Sequence, residues 1–104
     1  MVYDIEVIFK FVTDKKRTFC NGYRPAHLVE ENYLTTGVHH YYNVEKVSSG
    51  EEIKGAITFI SPEFYPACMW VGKKILMYDG SANIGYATVL KIFNTILEKR
   101  ESEE

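Results

Sequence analysis

Apolar and polar residues alternate along the start of the chain. Tyr3, Ile5, Val7, Phe9 and Phe11 fall on one side, and Asp4, Glu6, Ile8, Lys10 and Val12 on the other. A period of two marks a strand with one buried face. Asp14-Lys15-Lys16-Arg17 follows as a charged turn, Asn21-Gly22 is a turn dipeptide, and Pro25 pushes Arg24 into an extended conformation. Residues 27–29 and 33–36 read as extended, separated by Glu30-Glu31-Asn32. Gly37 is expected to break that run before a strand-forming stretch at 38–47. Ser48-Ser49-Gly50-Glu51 is a turn, and 53–60 a strand with Ile53, Ile57 and Phe59 on one face. Gly55 on that face implies a bulge or a close neighbour. Pro62 and Pro66 bracket a loop. Residues 74–78 and 84–92 read as the arms of a hairpin around Asp79-Gly80. Ile92, Phe93, Ile96 and Leu97 recur at one-face helical spacing, so a short helix and an acidic tail are expected over 94–104. About six short strands at near-regular spacing predict an all-β barrel or sandwich over 1–93.

Composition narrows the function classes. At 104 residues the chain supports one core, and its 14% aromatic content suits half-buried strands. A net charge of −2 gives no global attraction to phosphate. Nucleic-acid binding would rest on a local patch, for which Lys15, Lys16, Arg17 and Arg24 are the candidates, joined by one of Lys73 and Lys74, which alternate faces. No apolar run is long enough to span a bilayer, and Asp4 and Glu6 stand where a signal peptide would be cationic, so a cytoplasmic chain is expected. Cys20 and Cys68 fit no metal spacing and are expected as reduced thiols packed as small hydrophobes; only a secreted chain would pair them.

His39 and His40 are adjacent on a strand and point to opposite faces, so they cannot chelate one ion together; His27 could join either only through tertiary folding. No local signature makes a nucleophile and base of a cysteine and these histidines. No glycine is followed by Lys-Ser or Lys-Thr at phosphate-loop spacing, which removes the machinery for nucleotide hydrolysis. No catalysis, cofactor or metal is expected. Tyr41, Tyr42 and Trp70 are natural anchors for a protein partner, since large amphipathic rings dominate interface hot spots.

The motif Phe19-Cys20-Asn21-Gly22-Tyr23-Arg24-Pro25, followed by Thr35-Thr36-Gly37 and by the ordered turns at 49–51, 79–80 and 85, resembles the third domain of elongation factor Tu. The resemblance runs over most of the chain to about Phe93. It implies a closed six-stranded antiparallel barrel, with the segment after Phe93 as an addition. In that family the barrel packs on its own GTPase domain, is gripped by exchange factors, and holds the T arm of aminoacyl-tRNA. The tRNA contact uses a basic turn containing His and an Arg beside Thr-Thr. Here the turn is Lys15-Lys16-Arg17 without its His, and Leu34 stands beside Thr35 and Thr36. The expectation is a non-catalytic binding module for another protein, with a translation factor as one partner class. The alternative is an RNA-binding module that contacts tRNA through Lys15, Lys16, Arg17 and Arg24; Tyr23, Thr35 and Thr36 are further candidate residues for binding a macromolecule.

Overall fold

A computed structural model of the chain describes residues 3–99. Within them run eight strands: β1 (Ile5–Phe11), β2 (Thr18–Cys20), β3 (Ala26–Glu30), β4 (Tyr33–Tyr41), β5 (Lys46–Ser48), β6 (Glu52–Phe59), β7 (Lys74–Asp79) and β8 (Ala82–Ile92). Six close an antiparallel barrel in the order β1-β6-β4-β3-β7-β8, while β2 and β5 form a separate two-stranded ribbon. The architecture is thus the all-β, closed six-stranded antiparallel barrel expected from the sequence. Among the described residues no helix is long and apolar enough to cross a membrane.

β1 shows most directly how alternation becomes a barrel wall. Ile5, Val7, Phe9 and Phe11 are fully buried, and the residues between them face outward. The interior is filled by these four with Val29, Tyr41, Ile57, Phe59, Ile75, Met77, Ile84 and Val89. The ribbon caps one end of the barrel. Phe19 stacks on Phe11 with ring centroids 4.1 Å apart, and Val47 on the paired strand is buried with it. Asn21 ties the ribbon to the barrel: its Oδ1 accepts the Tyr41 N–H at 2.6 Å and its Nδ2 donates to the Val44 carbonyl.

Several sequence expectations change. Gly37 does not break the chain; β4 runs through it without interruption. A side chain there would collide with Ile57 Cγ2 at 2.7 Å and His27 Cε1 at 2.9 Å, so the glycine clears space for neighbours. Gly55 likewise marks close approach, with the His40 carbonyl in the place of a Cβ, and the register shows no bulge beside it. At the start of the chain the alternation reverses. Asp4 is buried, its carboxylate accepting from Phe59 N–H and Asn94 Nδ2, while Tyr3 stacks outside on His40. Cys20 is exposed, whereas Cys68 packs in the core as a free thiol.

The expected C-terminal helix is also replaced. Residues Thr95–Leu97 make one 3-10 turn, opened by Asn94 Oδ1 accepting the Ile96 N–H. The backbone then extends, with Met69 N–H donating to the Leu97 carbonyl and Lys99 N–H to the Met69 carbonyl. An isolated helix of so few residues is marginal in water. Leu97 instead becomes fully buried in the barrel core, and the amphipathic pattern reflects docking on this same barrel. The remainder of the expected helix and acidic tail, 100–104, lies outside the described residues.

Candidate functional site

Three polar side chains meet inside the barrel. His27 Nε2 lies 2.8 Å from His39 Nε2, and His39 Nδ1 lies 2.9 Å from the Tyr41 hydroxyl. His27 Nδ1 faces the Thr35 carbonyl at 3.4 Å. That carbonyl can only accept, so His27 carries its proton on Nδ1 and accepts at Nε2. His39 therefore donates from Nε2 and accepts the Tyr41 O–H at Nδ1. One directional chain satisfies every polar atom with both rings neutral. Burial pushes His27 down to about 4, and burial together with the neighbouring His27 holds His39 well below the ordinary histidine value. Burial also raises the Tyr41 hydroxyl. Two imidazoles on one tetrahedral zinc would stand about 3.3 Å apart, so 2.8 Å marks a hydrogen bond. Among the described residues no group of three or more His, Cys, Asp or Glu could hold a metal ion. The His27–His39 cluster is a core device, sealed by Phe9, Phe59 and Tyr23.

The sequence-predicted residues fall in different places. Tyr41 is buried in that cluster and presents no surface to a partner. Tyr42 lies half-buried outside, its hydroxyl donating to Glu6 at 3.0 Å and raised to about 12 by burial and then by that carboxylate. Thr35 donates to the Tyr65 hydroxyl, and Thr36 lines a shallow apolar hollow with Ala26, Leu34 and Ile60. Cys20 makes no hydrogen bond to either His39 or His40 among the described residues.

The basic turn is partly neutralised. Arg17 pairs with Asp79 at 2.9 Å, and the Tyr23 hydroxyl donates to the same carboxylate at 3.2 Å. The hydrogen bond to Asp79 raises the already high Arg17 value. Lys15, Lys16 and Arg24 are exposed. Lys74 begins β7 five residues before Asp79, about 17 Å away along an extended strand, and lies over the Tyr86 ring. It does not join the turn. Both partners of the Arg17–Asp79 pair are partly solvated, so Asp79→Ala is expected to change stability by less than about 1 kcal/mol in urea denaturation.

Trp70 occupies a different face. Its side chain is 47% exposed at an open groove of about 510 Å³ lined by Trp70, Val71, Ile92, Glu98 and Lys99. Lys73 Nζ lies 4.7 Å from the ring centroid and Lys99 Nζ 5.2 Å. Lys73 is anchored, donating to the Val29 and Cys68 carbonyls beyond the short β3–β7 pairing, which consists of Ala26↔Tyr78 and His27↔Met77. Burial lowers its value from the ordinary lysine range. Sequence reading singled out Trp70 but not its companions. Lys99 stands 29 residues away and reaches the ring only because the C-terminal segment pairs beside Met69. Comparison of the sequence with protein-family models and with curated proteins gives no match.

Proposed function

We propose that this barrel is a non-catalytic binding module that docks another protein at the Trp70 groove. The observation that carries the reading is a half-exposed indole on the connection that leads into β7, beside apolar Val71 and Ile92 and flanked by two lysines. Aromatic side chains held in place give much contact area for little entropy loss, which is why they dominate interface energetics. The resemblance of residues 19–25 and the later turns to the third domain of elongation factor Tu supports a translation factor as the partner class. The RNA reading has weaker support, because Arg17 is already paired with Asp79 and Lys74 lies far along β7. Non-specific phosphate binding needs several free cations together.

Affinity capture from ribonuclease-treated extract, with wild type and Trp70→Ala side by side, tests this. Wild type is expected to retain a protein that Trp70→Ala loses, with both folding alike by circular dichroism. The same proteins on both, or none on either, would sink the reading.

A further inference from the structure

We infer that the Trp70 groove recognises an extended protein segment in which one carboxylate side chain and an aliphatic one, two residues apart, share a face. This rests on the docking reading above and gives the partner's chemistry. Lys73 and Lys99 share one indole, and among the described residues neither has a carboxylate within 4 Å; the ion pair among those residues is Arg17–Asp79. Two like charges held at one ring repel each other, and a bound carboxylate relieves that repulsion.

Lys73 is preorganised for this role. Two carbonyls already fix its ammonium, so little side-chain entropy remains to be lost, and three donors leave one N–H over. Exposed Val71 and half-buried Ile92 supply the apolar wall on which an aliphatic neighbour rests. Glu98 and Glu30, which acts on Lys73, offset the two lysines in net charge, so the groove has no surplus of cations for a polyanionic phosphate backbone; what it offers a single carboxylate is direct contact with the two ammonium groups at the ring.

Trp70 is the chain's single tryptophan, so its emission reads the groove directly. The full chain is titrated with an acetylated and amidated Leu-Ser-Glu-Ser-Leu peptide, which places one carboxylate and two leucines on the same face of an extended chain, and, separately, with the Leu-Ser-Gln-Ser-Leu counterpart. The acidic peptide is expected to shift Trp70 emission saturably, and the glutamine peptide to bind at least about tenfold more weakly. Lys99→Gln, a change at an exposed position, is expected to reduce the discrimination at least about threefold, with Lys73 holding the remainder. Equal binding of the two peptides, no response to the acidic one, or a stronger response to oligouridylate would overturn the inference. So would an emission shift driven by protein concentration alone, which would mark a second copy as the occupant. If Trp70→Ala loses a captured protein while the two peptides behave alike, the carboxylate inference fails and the docking reading stands.

Discussion

Lowering the pH from 7.5 to 4 is expected to strip this barrel of about 3 kcal/mol through His27 alone, with His39 adding loss of the same sign. His27 titrates near 6.5 when unfolded and near 4 when folded, because the barrel interior resists its charged form. The unfolded state therefore binds the proton first. Stability is full above about pH 6.5, falls as pH drops toward 4, and levels off below; two and a half units at about 1.4 kcal/mol each make about 3.5 kcal/mol in all, of which about 3 is gone at pH 4, where the folded group is half protonated. The groups packed around the two rings are Phe9, Phe11, Phe59, Tyr23 and Tyr41, and none is an acid that could pair with an imidazolium. With total stabilities of domains this size commonly about 5–15 kcal/mol, the loss is a large fraction. Urea midpoints at a series of pH values measure it.

His39→Phe separates this effect from carboxylate titration. At pH 7.5 that variant is expected to be less stable by about 1–3 kcal/mol, since His27 Nε2 and the Tyr41 hydroxyl lose their partner. Its stability is expected to decline less between pH 6.5 and 4. A wild-type midpoint that stays level from pH 7.5 to 4.5 would rule out a neutral buried pair.

Gly85→Ala is expected to cost about 3 kcal/mol or more, against about 1 kcal/mol for Gly22→Ala. Both glycines have positive φ, +139° and +88°, but their surroundings differ. Around Gly22 a methyl group meets nothing within 4 Å, so only backbone strain is felt. At Gly85 the methyl would fall onto the Lys10 carbonyl, across the β1–β8 pairing that closes the barrel and where Phe11 stands opposite. The barrel must either open that ladder or move β8. Urea denaturation of the two variants decides, and similar small losses would contradict the close β1–β8 approach.

The fold was largely legible because its cues are local. The alternation in β1, the turn residues at Asn21-Gly22, Ser49-Gly50 and Asp79-Gly80, and the prolines at the 62–66 loop each act within a few residues. The site was legible only in part. Trp70 could be named, but Tyr41 carried the same aromatic signal and proved to be core, because burial depends on which wall a strand joins. The helical pattern at 92–97 misled because a buried Leu97 and a pairing with Met69, distant in the same chain, produce similar spacing without a helix.

The sequence by itself determined strands, turns and a single aromatic core, since side chains two apart share a face whatever lies beyond them. Only the tertiary structure decided what those faces meet. His27 pairs across from Thr35, and His39 lies farther along β4, with Gly37 between them on the inner side. Because that glycine has no side chain, the His27 ring fills its place and reaches His39. The same holds for Lys73 and Lys99 at Trp70. Contacts of this kind follow from strand register and barrel closure, which no local periodicity contains.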